Sequence, residues 1–522
     1  MNWFDESALT LAVFTPIVGM AIVLLIPKAH EQAMKVVALL TSLVTLGVGV
    51  GILSRFDFDH SARIGKFEID TSWIDVIHSR YHMGIDGISL PLLLLSMLIT
   101  TVCIIYSWNH FPAPHNPKGF LALILLLEVG MNGTFCALDL ILFFVFFELV
   151  LLPMFFMIGV WGGPRREYAS IKFFLFTLFG SALMLLSFLA LFFLVDVPRS
   201  LTVDHFNHTF DIVLLAKAGG RELVSSTQLL IFAGMFLGFA IKVPMFPFHT
   251  WLPDAHTEAP TVGSVLLAAI LLKLGAYGFI RIALPILPEA ARDWAPWIGL
   301  LAVIGIIYGA LACLAQRDMK RLIAFSSVAH MGFIMLGIAT LTTFGINAAV
   351  FGMVAHGLIT GMLFFIAGSV QERFETRELS RLGGLLTQAP KLGWILGFCA
   401  MASLGLPGLA GFWGEFPAIL SAYSPAAGIS VVTFRVYMTV AAIGTVLAAG
   451  YLLWMLQRVA FGTPKAEWEG THIHDLHVSE WIAWTPLLLL IVVLGVFPNL
   501  LFGTTDGAVT HMVNTMSRVL GG

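Results

Sequence analysis

Charge is scarce in this chain. Acidic and basic side chains together make up 11% of its 522 residues and apolar side chains 58%, whereas a soluble domain carries about 25% charged residues. A soluble globular fold is therefore excluded, and the chain reads as an integral membrane protein. A basic surplus is also lacking: 28 Lys and Arg stand against 31 Asp and Glu, for a net charge of -3. Nothing is left over to neutralise a phosphate backbone, so nucleic acid is not an expected partner. The few cysteines, Cys103, Cys136, Cys313 and Cys399, lie far apart inside apolar runs without C-x-x-C or C-x-x-C-H spacing. They read as small buried hydrophobes, which removes iron–sulfur clusters and c-type haem from consideration. The N-terminal MNWFDESALTLAVF has Asp5 and Glu6 where a signal peptide carries positive charge, so its apolar run is expected to be a retained span.

What is abundant is apolar sequence in long runs. Crossing about 30 Å of hydrocarbon takes about 20 apolar residues as a helix. On that scale spans are expected near 8–27, 34–54, 87–108, 119–136, 140–161, 170–195, 227–248, 261–283, 295–314, 321–341, 345–370, 391–423, 431–457 and 480–503. The period-2 alternation of a barrel is missing, and helices are the other way to satisfy the backbone in lipid. The fold class is thus all-α integral membrane, with about fourteen transmembrane helices. Short loops with excess Lys and Arg, at 164–172, 316–321, 371–391 and 457–465, place both termini on the outer side by the positive-inside rule. The longer loops near 55–86 and 196–226 then lie outside.

Two spans are interrupted. In AIKVPMFPFHTWLPDAHTEAPT (240–261), Pro244 and Pro247 release the carbonyls of Ala240 and Val243 on either side of Lys242. In MASLGLPGLAGFWGEFPAI (401–419), Gly405, Pro407, Gly408 and Gly411 precede Glu415. Irregular backbone at membrane depth is tolerated where protein or a hydrated cavity supplies partners. Breaks five spans apart suggest paired units of opposite orientation. The expected organisation is helices 1–3 over 1–117, a five-helix unit over 118–284, a second, inverted unit over 285–460, and helix 14 with its tail over 461–522.

An intramembrane charge costs roughly 2.5–3.5 kcal/mol on insertion scales, so each needs a reason. Lys242 and Lys273 are the only lysines this reading leaves inside spans, alongside Glu128, Glu148, Glu415, His330 and His356. Glu148 and Lys242 are expected to form an ion pair in the bundle interior; withdrawing the glutamate leaves desolvation to drive the proton off the lysine. Moving a proton against roughly 200 mV requires about 4.6 kcal/mol, or about 3.4 pH units, within the 3–5 units that burial alone can impose. Lys273 lies mid-span, and His330 and His356 stand between it and Glu415 in chain order, where neutral imidazoles relay protons. His249 and His256 sit by the first break as secondary, inlet-side groups. Glycine-rich GLPGLAG lacks the strand-turn-helix setting of a phosphate loop.

The segments 242–278 (KVPMFPFHTWLPDAHTEAPTVGSVLLAAILLKLGAYG), 317–332 (RDMKRLIAFSSVAHMG), 146–163 (FFELVLLPMFFMIGVWGG) and 405–416 (GLPGLAGFWGEF) also carry a likeness. They resemble the proton-conducting, antiporter-like membrane subunits of respiratory complex I, the proton-translocating NADH:quinone oxidoreductase, a family that includes chains of multisubunit sodium/proton antiporters. The likeness covers roughly 85–500, and the chain's end soon after span fourteen, without a long lateral helix, points to the M-type branch. The resemblance implies fourteen helices, broken helices 7 and 12, an ion pair on Glu148 and Lys242, a central relay on Lys273, His330 and His356, and an outlet on Glu415; Glu128 matches none of its motifs. It further implies a subunit without a redox centre of its own. NADH, flavin, iron–sulfur clusters and quinone would belong to partner subunits, L- and N-type chains would be its membrane neighbours, and a bacterial plasma membrane its location. The rivals are a sodium/proton antiporter chain using the same side chains and a cytochrome-b-like subunit with haem on His330 and His356. Loop 371–391 is a candidate coupling surface.

Overall fold

The computed structural model describes residues 3–198, 207–221 and 223–520; parts of the expected 196–226 loop, residues 199–206 and 222, lie outside them. Thirteen helices among the described residues are long and apolar enough to span a membrane. Spans one to six are Trp3–Leu25, Glu31–Arg55, Ser89–Ser107, Pro117–Cys136, Leu140–Trp161 and Arg166–Leu194. Span seven is Ser225–Lys242, continued after a break by Trp251–Glu258, and spans eight to eleven are Thr261–Ile286, Pro288–Leu314, Met319–Ala339 and Thr343–Phe374. Span twelve consists of two half-helices, Pro390–Ser403 and Ala410–Ser421, each too short to cross alone at about 1.5 Å per residue. Val431–Val459 and Val478–Val496 complete the fourteen.

The expected fourteenth span, 480–503, needs correction. Its helix ends at Val496, Pro498 cannot continue the ladder, and Asn499–Val519 forms a separate amphipathic helix that packs on span eleven. The buried lysines also number more than the two expected. Lys35 and Lys320 join Lys242 and Lys273 as buried lysines inside helices.

Burial sorts the spans into a wall and a core. Spans ten and eleven are wholly enclosed and span eight nearly so, while two, thirteen and fourteen are mostly exposed. Helices with polar residues can sit at the centre only if others shield them from lipid, and the enclosed three carry Lys273, His330 and His356. Close approach is set by small residues. A Cβ on Gly357 of span eleven would lie 2.9 Å from the Ala269 carbonyl of span eight, and one on Gly414 would lie 2.5 Å from the Cα of Gly352.

Between spans two and three a hairpin, β1 (Ile69–Ile74) and β2 (Ser79–Met83), covers one face of the bundle. Buried His82 of β2 joins it to the rest, with Nδ1 2.7 Å from Asp211 and Nε2 3.0 Å from Glu68. Burial disfavours its charge, but Asp211, Glu68 and Asp70 outweigh burial and hold its pKa at about 9. Since a free imidazole titrates near 6.5, the folded state binds this proton more tightly. The clasp's contribution is complete below about pH 6.5 and is lost as the pH rises through about 9. Protease resistance of the hairpin is expected to fall over that window, and His82→Asn to lower it at neutral pH and remove the pH dependence.

Candidate functional site

The break in span seven comes where proline rules out further helix, and two carbonyls beside it find new donors. Ala240 accepts from the Met245 amide at 2.9 Å, and Ile241 accepts from the Trp251 indole at 2.9 Å. Lys242 is the last residue of the first half-helix, 2% exposed, at the end where the helix dipole favours a cation. In span twelve the chain turns through Gly405 (φ 80°) and Gly408 (φ 94°), a conformation glycine adopts without strain. The second half-helix then carries Glu415 inward.

The expected Glu148–Lys242 ion pair is not a direct contact. Lys242 Nζ lies 4.6 Å above the centre of the Phe147 ring and has no hydrogen-bond partner in the protein, nor has Glu148 Oε1. The two groups still interact electrostatically. The aromatic face stands in for part of the missing counter-charge, so Lys242 is held next to its carboxylate without closing on it.

The next four groups touch. Span eight opens into π-helical turns at Leu267–Leu271 and Phe279–Ala283, on either side of Lys273, a distortion common at functional sites. Lys273 Nζ donates to the carbonyl of Ala268, inside the first π turn, and to His356 Nδ1 at 2.6 Å. The His356 and His330 rings are 5.8 Å apart. His330 Nδ1 donates to Glu415 Oε1 at 2.5 Å, while its Nε2 lies 3.1 Å from both Ser403 Oγ and Tyr451 Oη. In space the order is Lys273, His356, His330, Glu415; the histidines are reversed relative to chain order because span eleven, not span ten, packs against the π-turned segment of span eight. A cavity of about 20 Å³ beside the two imidazoles is lined by Ser403, Thr360 and Glu415; seating one water takes roughly 10–15 Å³. A porphyrin needs a pocket of hundreds of Å³, so the site does not fit the haem alternative. Among the described residues no group of three or more His, Cys, Asp or Glu converges as a metal site.

His249 lies in the span-seven break with its ring 4.8 Å from that of Tyr308. His256 is fully buried on the Phe364 ring at 4.4 Å, and neither of its nitrogens has a protein partner. It feels the charges of both Lys320 and Lys273. Lys320, in a segment that reads as a loop, is instead buried, with Nζ on the Ala259 carbonyl. The clue was Asp318, whose side chain caps the helix at the Arg321 amide (2.9 Å) and so puts Lys320 in its first turn. Lys320 also lines a recess of about 480 Å³, with Glu258, Glu372 and Arg377, that opens on the face away from the hairpin. Glu128 lies apart in span four, fully buried, with both carboxyl oxygens unpartnered.

Buried polar atoms are normally satisfied by protein or ordered water. Lys242 Nζ, Glu148 Oε1, both His256 nitrogens, His356 Nε2 and Glu415 Oε2 all lack a protein partner, which makes this row of side chains a place for water. Groups at hydrogen-bond distance, or one water apart, can pass protons.

Residues 137–442 match the family described as NADH:quinone oxidoreductase/Mrp antiporter, TM, and residues 66–134 match NADH-ubiquinone oxidoreductase chain 4, amino terminus. The chain is 38% identical to NADH-quinone oxidoreductase subunit M of Rhodobacter capsulatus over 99% of its own length and 98% of the relative's. It is 37% identical to NADH-ubiquinone oxidoreductase chain 4 of Chondrus crispus, covering 96% of each. A chain of respiratory complex I from Thermus thermophilus with bound NADH superposes with a TM-score of 0.83 at 29% identity, over 98% of this chain and all of that one. A chain of the Mrp complex from Dietzia sp. DQ12-45-1b shares the fold, with a TM-score of 0.81 at 20% identity, over 100% of this chain and 99% of that one. With its enclosed polar row and these likenesses over its full length, the chain belongs to the NADH:quinone oxidoreductase/Mrp antiporter family of membrane subunits, in the branch of subunit M and chain 4.

Proposed function

We propose that this chain is a proton-translocating subunit of a respiratory NADH:quinone oxidoreductase and moves protons along the row Glu148, Lys242, Lys273, His356, His330, Glu415. The observation that carries this reading is the run from Lys273 to Glu415: four titratable groups from four helices, joined by hydrogen bonds of 2.6 and 2.5 Å and one 5.8 Å ring separation. Lys320 and His256 extend the row to the recess on the face away from the hairpin, with His249 as a secondary group. The hairpin face and both termini would lie outside, and the recess would face the inner compartment of a bacterial plasma membrane.

Electron transfer from NADH to quinone takes place in partner subunits, which hold flavin and iron–sulfur clusters, and L- and N-type chains flank this one. Segments 118–284 and 285–460 act as two inverted five-helix units, the first holding the Glu148–Lys242 element and the second the outlet. Loop 371–391 is a coupling surface between chains. When the charge of Glu148 shifts away, Lys242 gives up its proton toward Lys273; the histidines pass it on, and Glu415 releases it.

Sodium/proton exchange would use the same side chains. The test is NADH-driven acidification by the assembled complex in proteoliposomes, with and without Na+. Equal rates are expected; a rate that requires Na+ would overturn proton-only transport.

A further inference from the structure

The loop between spans thirteen and fourteen carries three histidines in the run THIHDLH (471–477), all exposed. His472 and His474 have ring centres 5.0 Å apart, His474 and His477 6.4 Å, and His477 and His110 6.2 Å. His110, mostly buried, stacks on Tyr106 at 4.5 Å and donates from Nδ1 to Glu372 Oε2 at 2.5 Å. Tyr106 Oη also donates to Glu372, at 3.3 Å. His110 and Glu372 line the same recess as Lys320. Four imidazoles at stepping distance thus run from open water to the mouth of the row.

The loop is held in place rather than left to solvent. Arg373 of span eleven binds the His474 carbonyl at 2.7 Å, the Asp475 carbonyl at 3.0 Å and the Glu480 carboxylate at 2.6 Å. The Asp475 carboxylate caps span twelve through the amides of Lys391 and Leu392, and Glu480 accepts from the His477 amide. Both acids and Arg373 are engaged in anchoring, and the rings of His472, His474 and His477 are the exposed titratable groups of the 471–477 run. A positioned imidazole both takes and gives up a proton near neutral pH, and groups on a rigid support keep their spacing.

We propose that His472, His474, His477 and His110 form a proton-collecting string that delivers protons from the inner aqueous phase to Glu372 and the recess. The proposal rests on the proton-relay reading above. Each step moves one proton, from hydronium or a protonated buffer molecule to an imidazole nitrogen and from His110 to a Glu372 carboxylate oxygen; no electrons move.

The test uses the assembled complex in native membranes with His472, His474 and His477 all changed to Gln, and in a second variant His110→Gln. NADH-driven proton uptake is followed in weak buffer from about pH 6 to about pH 9, where free hydronium becomes scarce at the alkaline end. Both variants are expected to match the parent at the acid end, to slow several-fold at the alkaline end, and to recover when imidazole buffer is added. A parent-like profile throughout, or an equal loss at every pH that buffer does not rescue, would overturn the string. Lys273→Met separates the two levels. If it leaves uptake intact, the relay itself is wrong; if it abolishes uptake while the histidine variants behave as the parent, only the string is removed.

Discussion

Replacing Lys273 with methionine is expected to lower both proton pumping and quinone reduction more than tenfold, a change worth about 1.4 kcal/mol or more, in a complex that still assembles. Lys273 is fully buried and is the link between the π-turn carbonyl of Ala268 and His356. Methionine fills nearly the same volume but carries no proton, so His356 Nδ1 loses its donor and the row is cut at its centre. Assembly survives because a buried lysine is costly to keep charged, which offsets the penalty of about 1–3 kcal/mol each for leaving the Ala268 carbonyl and His356 Nδ1 short of a donor. Both activities measured on the same membranes, with assembly checked by native electrophoresis, decide the matter. Retained pumping would remove Lys273 from the path.

The second large effect concerns Lys242 and Glu148. Lys242→Met and Glu148→Gln are each expected to reduce pumping and quinone reduction several-fold or more. The double variant should be no worse than the more damaged single one, because groups that act as a unit are not additive. The two side chains are not in contact, so the coupling must be carried by charge across the Phe147 ring and by water rather than by a hydrogen bond. Additive losses would show two independent roles and end the idea of a switching pair.

The breaks and the chemical groups were legible in the sequence because each violates a rule of its surroundings. Pro244 and Pro247 cannot continue a helix, Gly405 and Gly408 relax one, and Lys242, Lys273 and Glu415 are costly among apolar neighbours. The groups the sequence misplaced obey local rules and break them only in three dimensions. Lys320 sits in RDMKR, which reads as an inward loop, yet the chain at 377–379 folds back onto it through the Met319–Arg377 and Leu379–Arg317 backbone bonds and covers the helix start. Lys35 is covered in the same way by Trp108, whose carbonyl it reaches at 2.9 Å. The π turns of span eight leave no mark in an unbroken apolar run, and the exchange of His356 and His330 depends on which helices adjoin. Whether Lys242 closes on Glu148 or rests above Phe147 is a matter of side-chain rotamer, to which hydropathy is blind.

Everything turns on whether the row is continuous for protons, and the most direct measurement is the position of ordered water in the assembled complex at a resolution that shows it. The account predicts water bridging Lys242 to Lys273 and filling the gap between His356 and His330, so that no step exceeds one water. Apolar side chains packed in contact across either gap would contradict it.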